Sequence, residues 1–403
     1  MERLVVVGNG MAGVRFLEAL AAERGAGPAG SVVAIGAEPV PGYNRVLLSA
    51  ALAGDTARAD LALKPEAWYR GQGFDLRLGD PVATIDPAAG SVSLRSGEIL
   101  PFDRLVLATG SAPIRLPLPG ADREGVVTFR DLADLDRLDA ACAAGAPAVV
   151  IGGGLLGIEA AYGLARRGLP VTLVHLVDRL MERQLDARAA DLVRRALERL
   201  GVRVLLGAES AAVEGGAAVE ALRLADGRAL PCGLLVMAVG IRPETTLART
   251  AGLQVGRGIL VDDGLETSVP GIHAIGECAE HRGSVYGLVE PAYAQAQVLA
   301  ARLAGRPAAY AGSLLATNLK VSGLPVFSAG DFVGEAGTDT IHFEDRPLGH
   351  YRKLVLRGDQ LVGAVLVGDT ADGPWYQDLI REGRSVAPLR RDLVFGRPFC
   401  EAA

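Results

Sequence analysis

Leu4-Val5-Val6-Val7-Gly8-Asn9-Gly10-Met11-Ala12-Gly13 decides how this chain is read, and Ala148-Val149-Val150-Ile151-Gly152-Gly153-Gly154-Leu155-Leu156-Gly157 repeats it. In each copy an apolar, Val-rich run meets glycines spaced GxGxxG, and an Ala/Leu-rich helical stretch follows, to about Arg24 and about Arg167. The first glycine makes a tight turn, the second lets backbone approach a pyrophosphate, and the third lets helix and strand pack closely. The pyrophosphate then lies at a helix N-terminus, where unpaired N–H groups and the helix dipole favour negative charge. A lone glycine motif is weak evidence. Two copies, each after a strand and opening a helix, argue against two merely structural turns.

Working outward, a second strand follows each helix, Val32 to Ile35 and Val171 to Val174. Each copy closes on a similar segment, Phe102 to Gly110 (ending Ala108-Thr109-Gly110) and Cys232 to Gly240. Strand alternating with helix at this spacing predicts parallel sheets. Short β-like pieces lie between, with turn signals at Asp86-Pro87 and Ser96-Gly97, and a long helical pattern runs from Pro291 to Leu303. From about Ser313 the character changes: Tyr351 to Leu356 and Gln360 to Val367 flank Gly358-Asp359, which predicts an antiparallel hairpin. The expected fold class is α/β, with two doubly wound three-layer dinucleotide-binding domains, the second inserted in the first, and a small C-terminal α+β domain.

Composition narrows the function. The 403 residues suffice for two or three domains. A net charge of −6 and a pI near 5.6 leave no electrostatic footprint for nucleic acid or an anionic membrane. Lys64, Lys320 and Lys353 are the only lysines, and the arginines form no block. Cys142, Cys232, Cys278 and Cys400 include no CxxC, which argues against a sequence-local redox disulfide, a zinc knuckle or an iron–sulfur cluster with closely spaced ligands. Four reduced cysteines fit a cytoplasmic protein. The histidines at 175, 273, 281, 342 and 350 show no metal-ligand spacing, so no metal is expected. The apolar start is broken by Gly8-Asn9-Gly10 and reads as a first strand rather than a signal peptide. No apolar run is long enough to span a membrane.

An acid after the second strand of such a fold accepts hydrogen bonds from a ribose 2′-hydroxyl. Glu38 stands there in the first copy, which suits an adenosine without a 2′-phosphate. His175 holds the matching position in the second copy, with Asp178 and Arg179 close behind. Arg179 could pair a 2′-phosphate, so NADH and NADPH both stay open.

The order of glycine fold, Leu107-Ala108-Thr109-Gly110, second glycine fold and Ile275-Gly276-Glu277 resembles the FAD-dependent pyridine nucleotide reductases, over about the first 310 residues. A closer likeness lies in Pro41 to Ser49, Gly153 to Glu159, Leu180 to Asp186, Gly276 to Ala279 and Tyr286 to Pro291. These stretches resemble the flavin-binding part of assimilatory NAD(P)H nitrite reductase large subunits, a module shared with electron-transfer subunits of assimilatory nitrate reductase. The likeness implies an FAD-binding domain at 1–115 and 245–312, an NAD(P)H-binding domain at 116–244, and a C-terminal domain at 313–403. Gly8, Gly10, Met11, Ala12, Gly13, Glu38, Arg45, Val82, Ala108, Thr109 and Gly110 are then the expected FAD contacts. Gly276 and Glu277 close that site, with Glu277 where the family usually has Asp, and Pro291 opens a helix aimed at the flavin. Gly152, Gly154, Leu155, Leu156, Gly157, His175, Arg179 and Gly240 are expected on the nicotinamide cofactor. Glu159 resembles the family acid beside the nicotinamide and is the expected catalytic residue. Lys320 recurs in the resembling enzymes and is expected among the cofactor contacts, without a physical account of its role.

The large subunits of the closer likeness continue into a cysteine-rich iron–sulfur region and a siroheme domain, whereas this sequence stops at Phe399-Cys400-Glu401-Ala402-Ala403. It is therefore expected to act as the reductase module and not to reduce nitrite alone. The partner would be an assimilatory nitrate or nitrite reductase, or a small iron–sulfur carrier, with the chain a monomer or homodimer. An NADH oxidase, peroxidase or CoA-disulfide reductase needs a cysteine nucleophile early in the chain, and residues 1–141 contain none. A rubredoxin or ferredoxin reductase shares the architecture, but usually has Lys where Ala50 follows Leu48-Ser49. A non-enzymatic flavin redox sensor is the remaining alternative.

Overall fold

The computed structural model describes residues 2–24, 30–321 and 323–401, and of residues 24, 320 and 321 the backbone alone. The chain divides into two units. One comprises Met1–Leu47, Thr56–Ala112 and Ile241–Ser313; the other comprises Leu48–Asp55, Pro113–Gly240 and Leu314–Ala403. The chain thus leaves and re-enters each unit. The antiparallel C-terminal segment falls in the same unit as the second glycine fold.

In the first unit, the Val-rich run forms a strand, Arg3–Val7, because β-branched side chains suit a surface buried on both faces. It is central in a parallel sheet ordered Ile272–Ala274, Arg104–Leu107, Arg3–Val7, Ser31–Gly36, Phe74–Leu78. Alternate residues divide between two cores. Leu4 and Val6 pack with Phe16, Leu17, Leu20 and Leu299 of the helices Met11–Arg24 and Val289–Leu303. Val5 and Val7 pack with Ile85, Val92 and Leu94, from a small antiparallel sheet of Val82–Asp86, Ser91–Leu94 and Ile99–Pro101. One outer layer is therefore helical and the other is a second sheet, whose turns fall at the positions expected from the sequence.

The second unit repeats the plan. Its parallel sheet runs Arg203–Leu205, Val171–Val174, Ala148–Ile151, Leu234–Met237, Val126–Val127. The helix Leu155–Arg166 buries Ile158, Ala160, Ala161 and Leu164, while Val149 and Ile151 pack with Val213, Leu222 and Leu224 of another antiparallel sheet. A short helix, Leu48–Ala53, lies so close to this one that a Cβ on Gly163 would stand 2.8 Å from Leu52 Cγ.

The same unit carries a five-stranded antiparallel sheet, in order Ala316–Val321, Leu324–Gly330, Gln360–Val367, His350–Arg357, Asp339–Asp345. The expected hairpin is present: His350–Arg357 pairs antiparallel with Gln360–Val367 around Gly358-Asp359. The helix Gly373–Glu382 covers this sheet through Tyr376 and Leu379, which pack with Phe327, Leu354 and Leu366. Tyr351 ties the sheet to the rest of the unit by donating to Asp186 Oδ2 at 2.6 Å. Asp186 also accepts the Ala189 N–H at 2.9 Å, capping the helix Ala187–Arg199.

Candidate functional sites in the two glycine folds

The three glycines of the first motif differ in what surrounds them. Gly8 sits at φ +112, and a Cβ there would lie 2.1 Å from Ala108 O. A Cβ on Gly13 would lie 2.0 Å from Gly8 O. These two positions admit only glycine because protein already fills the space. Gly10 is the opposite: a Cβ there meets nothing within 4 Å. It borders open space at the start of Met11–Arg24, with Met11 and Ala12 in the helix's first turn. Beside it, Asn9 Oδ1 accepts from the Tyr69 hydroxyl at 2.9 Å, while its buried Nδ2 has no partner among the described residues. An open cradle, free helix N–H groups and an unpartnered amide fit a dinucleotide pyrophosphate.

Glu38 follows the strand Ser31–Gly36, as the ribose-binding position requires. Its carboxylate accepts from the Tyr43 hydroxyl at 2.8 Å and pairs with the Arg45 guanidinium, which lies 5.0 Å from the Tyr43 ring centroid. Arg45 thus joins the acid expected on the ribose rather than standing as an isolated surface arginine. Ala108, Thr109 and Gly110 follow the strand Arg104–Leu107, and the Thr109 hydroxyl donates to Glu244 O at 2.9 Å. Gly276, at φ +80, gives its N–H to Gln295 Oε1 at 2.7 Å, and Glu277 accepts from the Ser111 hydroxyl at 2.6 Å. The helix carrying Gln295 starts at Val289, two residues before the expected Pro291, which becomes its third residue. Proline is tolerated there because first-turn N–H groups have no intrahelical partner. Val82 begins the small antiparallel sheet and is buried.

The second motif repeats the division of labour. Gly152 lies at φ +118 with Ala238 O 2.2 Å from a Cβ position, and Gly157 has Gly152 O at 1.9 Å, but Gly154 again meets nothing within 4 Å. The helix beginning at Leu155 and Leu156 has no side-chain cap at Gly154, so its first N–H groups remain available to an anion. Gly240, at φ +116, ends the strand segment that closes this fold.

His175 turns inward at the end of Val171–Val174. Its ring is buried, and Nδ1 accepts the Gly153 N–H at 3.0 Å. Nε2 faces Glu182 Oε2 at 3.1 Å. Arg179 pairs with Asp178 at 3.4 Å, and its buried Nε has no partner among the described residues. Lys320 lies in the strand Ala316–Val321, and its side chain is outside the described residues.

Glu159 stands in the first turns of Leu155–Arg166, and the Ser49 hydroxyl hydrogen-bonds its carboxylate. Burial dominates over that bond and pushes the carboxyl up to about 7. It is therefore not an ordinary solvated helix carboxylate. A carboxyl poised there can hold or release a proton near neutral pH. Sequence reasoning missed Tyr43, Ser49, Glu182 and Gln295, since each acts through a residue distant in the chain or hidden by a turn.

The family model for pyridine nucleotide-disulphide oxidoreductases matches residues 2–297. The chain belongs to that family. It is an NAD(P)H-dependent flavoprotein oxidoreductase, with FAD and NAD(P)H as cofactors. Residues 316–384 match the model for the rubredoxin NAD+ reductase C-terminal domain. Within the pyridine nucleotide-disulphide oxidoreductases, the chain is 48% identical to the nitrite reductase [NAD(P)H] of Bacillus subtilis, over 96% of this chain and 48% of that protein. It is 39% identical to the assimilatory nitrate reductase electron transfer subunit of the same organism, over 98% of this chain and 51% of that one. The chain thus spans about half the length of these relatives. The crystal structure of the ferredoxin reductase for the CYP199A2 system of Rhodopseudomonas palustris superposes with a TM-score of 0.90, at 28% identity and over 100% of both chains.

Proposed function

We propose that this chain takes reducing equivalents from NADH or NADPH through FAD and hands them to a separate redox protein of nitrate or nitrite assimilation. The observation that carries the separate acceptor is the state of the thiols. Cys142, Cys232, Cys278 and Cys400 are all free, and burial raises each thiol, Cys232 to about 11. A thiol held protonated is a poor nucleophile, so none is equipped to relay electrons as a disulfide. Similarity over nearly the whole chain to a nitrite reductase and to a nitrate reductase electron-transfer subunit supports the pathway.

In this reading Gly8, Gly10 and Gly13 with Met11 and Ala12 hold the FAD pyrophosphate, and Glu38 with Tyr43 and Arg45 holds its adenosine ribose. Val82, Ala108, Thr109, Gly110, Gly276, Glu277 and Pro291 frame the remainder of FAD. Gly152, Gly154 and Gly157, with Leu155 and Leu156, hold the pyrophosphate of NADH or NADPH. FAD held by these residues would supply two-electron exchange between the nicotinamide and the acceptor. Positioning supplies most of the catalysis, so no nucleophile or triad is required. Glu159, hydrogen-bonded by Ser49, keeps a proton available near neutral pH.

The match of residues 316–384 to a rubredoxin reductase domain favours a second reading, a rubredoxin or ferredoxin reductase. NADH oxidation is to be measured with artificial dyes, with oxygen, with rubredoxin or ferredoxin, and with an assimilatory nitrate or nitrite reductase plus its substrate. Fast dye reduction, slow oxygen consumption and nitrate or nitrite turnover only with the partner are expected. Fast turnover with rubredoxin or ferredoxin alone would favour the second reading. Rapid peroxide or water formation from oxygen alone would remove the separate acceptor altogether.

A further inference from the structure

The ribose-binding acid expected at the end of Val171–Val174 is replaced by His175, yet the structure puts an acid beside that position by another route. The His175 ring turns under the glycine loop, where Nδ1 accepts the Gly153 N–H at 3.0 Å. An accepting Nδ1 leaves the ring proton on Nε2, which donates to Glu182 Oε2 at 3.1 Å. Two groups of the glycine loop hold this arrangement. While Gly153 N–H fixes the ring, Gly153 O accepts the Met181 N–H at 2.9 Å. Met181 takes φ +51, in the left-handed region, to make that bond, and Leu180 and Met181 are both fully buried. Glu182 is therefore anchored from its own backbone neighbour and from its carboxylate. Its side chain keeps 26% exposure, so one oxygen serves the histidine while the carboxylate still faces solvent.

We infer that Glu182, carried on the His175 ring, supplies the acid that accepts the 2′-hydroxyl of the adenosine ribose and so selects NADH over NADPH. The inference rests on reading Gly152 to Gly157 as the nicotinamide-cofactor site. An anionic carboxylate accepts from a hydroxyl but repels a 2′-phosphate, which carries close to two negative charges at neutral pH. Each nearby cation faces a carboxylate. Arg179 pairs with Asp178 at 3.4 Å, and Arg183, 87% exposed, has its Nε 4.0 Å from Glu182 Oε1. Removing the Glu182 charge leaves Arg183 for a phosphate, so NADPH should gain as NADH loses.

The test uses the FAD-loaded protein. Dissociation constants for NAD+ and NADP+ are measured by calorimetry, and kcat and KM for NADH and NADPH with a dye acceptor. The wild type should prefer NAD+ and NADH. Glu182→Gln, which can still accept from Nε2, should lower the NAD+ over NADP+ preference at least about tenfold. The change should appear in the dissociation constants and in KM. Glu182→Asp should recover part of the preference, and Glu182→Arg should reverse it. A wild type that prefers NADP+, or a ratio unmoved in both the Gln and Arg variants, would overturn the inference. Gly154→Val separates this from the underlying reading: if that variant still binds NAD+ normally, the cofactor site itself is wrongly placed. If it loses NAD+ while the Glu182 variants keep the wild-type ratio, Glu182 alone is wrongly assigned.

Discussion

The Ser49 hydroxyl hydrogen-bonds the carboxyl of Glu159, joining a short helix, Leu48–Ala53, to the helix that opens on the second glycine motif. Gly163 makes the approach possible, since a larger residue there would strike Leu52. Burial in this contact raises Glu159 from 4.5 to about 7 despite the hydrogen bond. The protonated form is then the one the fold favours. The stability Glu159 contributes is fully present below its unfolded value and is lost as pH rises through about 7. Relative to Glu159→Gln, the wild type should lose about 2–3 kcal/mol between about pH 4.5 and pH 8. Denaturant unfolding of both proteins across that range checks it; parallel profiles would remove the buried carboxyl.

Removing the hydroxyl should act in the same direction. Ser49→Ala takes away a contact that favours the ionised form, so the pH at which Glu159 titrates should rise above the wild-type value. The pH dependence of flavin reduction by NADH reports it. If Glu159 governs that step, the profile shifts to higher pH in Ser49→Ala and flattens in Glu159→Gln. An unmoved profile in both would separate Glu159 from the reaction.

Gly10 and Gly13 should fail differently. Valine at position 10 enters space the protein leaves open, so the chain should fold and lose its flavin. Alanine at position 13 strikes Gly8 O and should destabilise the whole unit, by several kcal/mol, as overpacking against backbone does. FAD content and far-UV circular dichroism distinguish the outcomes. A fully flavinated Gly10→Val protein would move the FAD site elsewhere.

Tyr351 offers a test of packing remote from the glycine motifs. Its hydroxyl is one of the donors to Asp186, whose other oxygen caps Ala187–Arg199. Burial and the neighbouring carboxylate push the Tyr351 phenol well above its usual range, so it remains a donor. Tyr351→Phe should cost about 1–2 kcal/mol through the lost bond to a charged acceptor. Urea midpoints measure this, and an unchanged midpoint would show that Lys353, 3.5 Å from the same oxygen, compensates.

Much of the fold was legible because its signals are local. The strand–glycine–helix runs at Leu4 and Ala148 carry their periodicity and turn chemistry within short windows, and Gly358-Asp359 marks its hairpin the same way. The glycine roles follow from spacing alone and recur in the contacts of Gly8, Gly10 and Gly13. Contacts made across the chain were not legible. Nothing near Ser49 announces Glu159, and nothing near Glu38 announces that Tyr43 and Arg45 close on it. His175 shows a different failure: the pattern places the residue at the strand end, but not which way a ring turns when a backbone N–H at Gly153 offers it a bond. The start of the helix at Val289 rather than Pro291 reflects proline's tolerance anywhere in a first turn.

The central claim is that FAD is the chain's only redox centre, fed by a nicotinamide cofactor and emptied by a separate protein. Anaerobic titration of the yellow protein with NADH tests it most directly, followed by the flavin absorbance and by thiol counting. Bleaching should be complete at about one NADH per flavin, with no further uptake and four thiols before and after. Uptake of about two NADH per flavin, with thiols appearing as it proceeds, would reveal a redox disulfide and contradict the account.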